Sequence, residues 1–245
     1  MDQSFPEEVD YDRFEVIIYG EAVGYAPKYG SGQDDIDDTQ EIVEPDEPMT
    51  TYASFPFNEI IQGLIVQEHL IKDIFQNATD YHLEVYNPSD YNIVCSVYVE
   101  YYDRSGNVVD TAILDREIEA GGITVLHDWD LDFDKKIVRT ELSYSVSQCV
   151  EYNRPVQAKL DYQVQRLSFG YLVTVTNNSS HVVDKIMVDC LFLRNEKVMD
   201  YSSEAVNTAS GDSTIRPGEK GTCVLVPFGD FDRYDDCRIY VNGLY

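Results

Sequence analysis

The densest chemistry in the chain is the run DWDLDFD at 128–134. Asp128, Asp130, Asp132 and Asp134 alternate there with Trp129, Leu131 and Phe133. On a strand, alternate residues share a face roughly 7 Å apart, so four carboxylates would repel one another. Two arrangements relieve that repulsion. The carboxylates can splay into water, as a charged edge that blocks edge-to-edge pairing. Alternatively they can surround a calcium ion. A loop counted from Asp130 puts Asp132 at position 3, Asp134 at position 5 and Glu141 at position 12, the spacing of a calcium loop. Lys135 stands where that loop requires Gly, and no flanking helices are evident. GDFDRYDD at 229–236 is a second acidic stretch of the same kind.

Other reactive residues form no recognisable constellation. His69, His82, His127 and His181 are scattered, with no HExxH and no close His/Cys ligand spacing. GxSxG, GxGxxG and the phosphate-loop pattern are absent. His127-Asp128 is only a dipeptide, and a catalytic triad needs partners adjacent in space. The expectation is therefore a non-enzymatic protein, with calcium as the one candidate cofactor. The five cysteines (95, 149, 190, 223 and 237) form no CxxC and are odd in number. Cys95 and Cys190 fall at inward strand positions and read as small buried apolar residues. A disulfide between Cys223 and Cys237 would require that their strands neighbour. Sequons occur at Asn77, Asn177 and Asn178. Asn177-Asn178-Ser179 reads better as a strand-ending turn.

Strands must position these residues. In VCSVYVEYYD (94–103), Cys95, Val97, Val99 and Tyr101 alternate with Ser96, Tyr98, Glu100 and Tyr102. That is one half-buried strand. RSGN (104–107) then turns the chain into VVD, which predicts a hairpin. YHLEVYN (81–87) precedes it; NVVDTAIL, ITVLHDWD and KKIVRTELSYSV follow, with EAGG (119–122) as a turn. FPFNEIIQGLIVQEHLIKDIF (55–75) predicts a short helical turn at 58–66 and a strand over 69–76.

About ninety residues later the pattern returns. YLVTVTNNS (171–179) matches YHLEVYNPS (81–89), and IMVDCLFL (186–193) matches CSVYVEYY (95–102). RPGEKGTCVLV matches EAGGITVL, CRIYVNGLY matches the closing strand, and 201–214 reads as a longer polar loop. A repeat of this length means two copies of one domain rather than a solenoid. Short alternating strands with turn signals are the mark of an all-β sandwich. The expected division is an acidic, largely disordered region at 1–53, a first Ig-like β-sandwich at 54–150 and a second at 151–245.

Residues 1–53 hold fifteen acidic residues against Arg13 and Lys28. SGQDDIDDTQEIVEPDEP (31–48) reads as a disordered linker, or as a docking tail for a basic partner. FEVIIYGEAVGY (14–25) could form a strand or short hairpin. The whole chain carries a net charge of −27. That field repels phosphate backbones, so no nucleic-acid partner is expected. No apolar run is long enough for a spanning helix, and MDQSFPEEVDYD lacks a basic-plus-apolar signal segment, so the expectation is either a cytosolic protein or a mature chain whose export signal has been removed.

The TNNS after a strand, the EYYD with its Gly turn, the AGG or PG turn and the DFDRYDDCRIYVN stretch together resemble the FxLYD domain. The resemblance covers about 68–148 and 158–245. The second copy reads FLR and lacks the turn Gly. FxLYD domains are small Ig-like modules of bacterial and archaeal envelope or secreted proteins. The resemblance implies an Ig-like fold and an extracellular or envelope location, and it carries no catalytic residues.

Met187, Leu191 and Leu193 point away from the second core, where the first copy has Ser96, Glu100 and Tyr102. This strip is expected to pack on the other domain, the N-terminal region or a partner. Trp129 is a further candidate contact. The functional expectation is an interaction or spacer module with a protein or glycan partner. The alternative is a calcium-dependent ligand or glycan binder, with Tyr and Trp as stacking platforms.

Overall fold

The computed structural model describes residues 18–19, 55–73, 78–132, 137–149 and 154–245. Its regular secondary structure is almost wholly strand. A two-residue strand β1 (Ile18–Tyr19) and a short helix α1 (Phe57–Gly63) precede β2 (Ile65–Asp73). β3 (Ala78–Tyr86), β4 (Ile93–Tyr102), β5 (Val108–Ile118), β6 (Ile123–Asp132) and β7 (Arg139–Gln148) complete the first half. β8 (Leu160–Arg166), β9 (Tyr171–Asn177), β10 (Asp184–Arg194), β11 (Lys197–Ala205), β12 (Lys220–Leu225) and β13 (Asp236–Leu244) make the second.

The helix runs over Phe57–Gly63 and ends three residues before the expected 58–66 does, because Gly63 ends it and Leu64 is already extended (ψ 136°). The strand then begins at Ile65 rather than near residue 69. The expected polar loop after 200 is also shorter, since β11 runs to Ala205 against β10.

Each half is an antiparallel β-sandwich. In the first, sheet β2-β3-β6 faces sheet β7-β4-β5, with β1 pairing parallel to β7. In the second, sheet β8-β9-β12 faces sheet β11-β10-β13. The strand partition is the same in both: first, second and fifth strands oppose third, fourth and sixth. This is the partition of an Ig-like sandwich. Alternation fills each core. Cys95, Val97, Val99 and Tyr101 on β4, and Ile186, Val188, Cys190 and Phe192 on β10, are all fully buried.

One buried device recurs in both copies and confirms their alignment. At the end of β3, Asn87 Nδ2 donates to the carbonyls of Tyr91 and Glu119, while Oδ1 accepts from Ser89 N. At the end of β9, Asn177 Nδ2 donates to His181 and Ile215, and Oδ1 accepts from Ser179 N. The backbone carbonyls of Asn87 and Asn177 accept from Gly121 and Gly218. Both glycines sit at positive φ, 69° and 78°, which explains why these turns carry Gly. The side-chain amide of Asn177 is thus buried and engaged in a turn, as the Asn-x-Ser pattern predicts.

The hairpins differ where the sequences do. Gly106 (φ 80°) serves the β4–β5 turn, whereas Asn195 and Glu196 both take positive φ in the tighter β10–β11 turn.

Of residues 1–53, only Ile18–Tyr19 fall among the described residues. The expectation of disorder for that region otherwise lies outside them.

Candidate functional site

The sheet β2-β3-β6 turns one face to its own core and the other toward β11-β10-β13. The two sandwiches therefore stack as four layers, and the middle contact gathers three of the chain's four histidines together with Glu84, Asp189, Arg116 and Arg238. Pairing register puts His69, His82 and His127 opposite one another in a row across β2, β3 and β6. Gln67, Glu84 and Val125 form the next row. Facing them, register aligns Tyr201, Leu191 and Arg238, then Ser203, Asp189 and Tyr240.

Asp189 is the hub. It is fully buried and accepts from Arg116 Nη1 at 2.7 Å, Tyr201 OH at 2.6 Å, Ser203 Oγ at 2.7 Å and Asn242 Nδ2 at 3.2 Å. Arg116 comes from β5, in the far sheet of the first sandwich, and also donates to the Val125 carbonyl at 2.7 Å. One guanidinium thus ties three layers.

Glu84 is the second hub. His69 Nε2 lies 2.6 Å from it, Arg238 Nη1 of the second sandwich 2.9 Å, and Tyr240 OH donates to its other oxygen. Burial works to raise its pKa, yet the bonds from His69 and Tyr240 and the charge of Arg238 hold it below the ordinary value.

A small apolar cluster completes the contact: Ile71 and Val125 of the first sandwich pack on Leu191 and Tyr201 of the second. The ring of His82 lies 4.4 Å from that of Tyr201. Burial, followed by the nearby His127 and His69, pushes the His82 pKa down to about 3. His127 is also lowered by burial, with Asp189 opposing. Tyr201 gives its single proton to Asp189, so the 3.1 Å contact with His127 Nδ1 assigns that nitrogen the hydrogen.

This arrangement fixes two bodies together. Its carboxylates are saturated by donors, and removing one partner of such a buried pair typically costs about 3–5 kcal/mol. A cleft of about 300 Å³ opens beside it, lined by Ile113, Asp115, Arg116, Leu126 and His127.

Among the residues marked out in the sequence, Leu191 is fully buried against the first sandwich. Leu193 is buried and Met187 half-buried on the same outward face of β10. A separate partner is therefore not what covers Leu191, because this chain's own first half does.

The acidic run is altered by a bulge. Tyr81 pairs with Asp128 but Thr79 with Leu131, so β6 carries an extra residue there. Asp128 accepts from the core residue Tyr101 at 2.9 Å, and Leu131, three residues on, also lies in that core. Simple alternation is thus broken between Asp128 and Leu131. The side chains of Trp129, Asp130 and Asp132, and all of Asp134, lie outside the described residues. Among the described residues, no group of three or more His, Cys, Asp or Glu is arranged to hold a metal ion.

The strand pairing that a Cys223–Cys237 disulfide would require is not made, since β12 and β13 belong to different sheets. All five cysteines are free thiols. Cys237 sits near Cys190, whose hydrogen bond pulls the Cys237 pKa down to about 7.

The sequence reading missed Asp189, Glu84, Arg116 and Tyr201 as a group. Asp189 carried the only signal, a lone carboxylate within the apolar outward strip of β10.

The chain is an all-β protein of two stacked antiparallel sandwiches. No family model matches it, and no curated protein matches it. Among solved structures, red sea bream transglutaminase aligns at 12% identity over 73% of this chain, with a TM-score of 0.25. The match spans 30% of that enzyme's length. A likeness at that level assigns nothing to this chain. Among the described residues, no helix is long and apolar enough to cross a membrane.

Proposed function

We propose that the chain is a non-enzymatic interaction and spacer module, in which two sandwiches are locked into one rigid body. The observation that supports this is the Asp189 hub. A spacer needs a fixed angle between its units, and a buried carboxylate bonded from β5, β11 and β13 supplies one. Glu84, Arg116, Asp189 and Arg238 are all engaged in holding that angle. The envelope or extracellular setting is drawn from the FxLYD resemblance. A protein or glycan partner would meet the outer sheets, where Tyr98 and Ile113 pair directly and are 40% and 70% exposed.

Small-angle X-ray scattering tests the rigid body. The wild-type profile should fit a single stacked arrangement. Asp189→Ala should widen the distance distribution while leaving strand content unchanged. A wild-type profile that demands freely reorienting halves would remove the spacer reading.

A further inference from the structure

The two sandwiches are not equally closed, and each serves as a control for the other. In the first, the gap between the edge strands β2 and β7 is plugged. α1 inserts Ile60 and Ile61, 3% and 6% exposed, into the core. β1 runs parallel along β7, with Ile18 opposite Leu142 and Tyr19 opposite Ser143. In the second, the counterpart of α1 is a three-residue 3-10 turn, Gln157–Lys159, with no buried residue of its own; the flanking Val156 and Leu160 reach the core only at the end of the gap beside Gly243 and Asn177.

The consequence shows on β8. Tyr162 lies opposite Val175 and Val164 opposite Val173, both fully buried, so register aims Tyr162 and Val164 at the core. Yet they are 46% and 42% exposed. Val66, the first-sandwich equivalent of Tyr162, is half-buried against its core.

The neighbouring edge is open too. Among the described residues, the outer edge of β13 pairs only at its end, where 154–156 bond to Gly243 and Tyr245. Alternation from those bonds turns the N–H groups of Ile239 and Val241 outward, away from β10. Among the described residues, that stretch of edge receives the Tyr162 hydroxyl alone, at 3.4 Å from the Ile239 carbonyl.

We infer that this edge accepts a strand, and that the strand is the segment around Ile18–Tyr19 of a second copy of this chain. Such addition makes main-chain ladder bonds and buries alternate side chains in the groove. The choice of occupant rests on equivalence. Val99 pairs with Leu142 as Cys190 pairs with Ile239, so Ile239 is the second-sandwich counterpart of the residue β1 already meets. The same segment therefore fits the same backbone register.

Exchange is also favourable in balance. When it leaves β7, α1 still closes that core with Ile60 and Ile61. On β13 it would be the cover over Tyr162 and Val164. One ladder replaces another, and apolar surface is buried in addition. The contact joins different surfaces of two copies, so it propagates head to tail or closes a ring. The charge of −27 opposes it at low ionic strength, so association should strengthen with salt. This inference is independent of the rigid contact between the sandwiches.

The test uses the full chain in sedimentation velocity over a concentration series at low and moderate salt, with amide hydrogen exchange at Ile239 and Val241. The expected result is a mass that rises with concentration and salt, while those two amides slow by roughly tenfold or more. Ile18→Pro with Tyr19→Pro should remain a monomer with fast-exchanging amides at every concentration. A synthetic peptide of residues 13–21 should slow the two amides in that variant. A wild-type chain that stays monomeric would overturn the proposal. So would association that the double variant leaves unchanged, which would place the contact on another surface. A peptide that fails to protect the two amides would leave the edge to a foreign strand and equally overturn it.

Discussion

Arg116 and Asp189 meet at 2.7 Å across the contact between the sandwiches, although 73 residues separate them in the chain. The arginine is one-fifth exposed and the aspartate fully buried. The pair is therefore asymmetric: the carboxylate cannot recover water if the guanidinium leaves, whereas the guanidinium can.

That asymmetry sets the first prediction. Asp189→Ala leaves Arg116, Tyr201, Ser203 and Asn242 short of an acceptor, and Arg116→Met leaves a buried charge with three neutral donors. Each should lower unfolding free energy by about 3–5 kcal/mol in urea titrations. The double variant should fall well short of the sum, since the two act as one unit. Additive losses would show that the pair is not coupled.

The histidines set the pH dependence. Folded His82 sits at about 3 against an unfolded value of 6.5, so the folded form disfavours its proton. His127 is shifted the same way. Stability is full above the unfolded value and falls as pH drops through it toward 3. Glu84, lowered in the folded state, adds a further loss at the acidic end. For His82 alone the loss is about 3 kcal/mol by pH 4. His82→Leu should flatten the stability profile between pH 6.5 and 4. An unchanged slope would place the acid sensitivity elsewhere.

The repeated cores make parallel predictions. Val97 and Val188 are both fully buried at equivalent positions. Val97→Asp should expose the amides of β3 and β4 to exchange first, and Val188→Asp those of β9 and β10. Each buries an unpaired carboxylate at a cost on the order of 3 kcal/mol or more. Identical exchange maps for the two variants would mean that the halves unfold as one unit.

Calcium offers a simple discrimination. Because Asp128 accepts from Tyr101 in the first core and the bulge places Leu131 there too, millimolar calcium should give the same melting curve as sodium at matched ionic strength. A rise of several degrees, reversed by chelator and abolished by Asp130→Asn with Asp132→Asn, would instead establish a cation site.

Much of the architecture was legible before any coordinates. Alternation at Cys95, Val97, Val99 and Tyr101 has a period of two, and so has a strand with one buried face. The matching Asn-x-Ser turns and the Gly turns that follow aligned the copies, because a buried Asn and a positive φ each demand a particular residue. What alternation cannot say is what covers the second face. Ser203, Asp189 and Glu84 look like solvent-facing polar residues on a strand, while Leu191 with Met187 and Leu193 signals a covered face without naming its cover. Only the stacking of one sheet on another put Asp189 beside Arg116 and Leu191 beside Ile71. The bulge at 129–130 is also tertiary in origin. Leu131 returns to the core three residues after Asp128, a phase change that pairing with β3 imposes and that the even spacing of four aspartates concealed. Local periodicity determines which side chains share a face, while contacts between sheets decide whether that face meets water, an ion or another part of the chain.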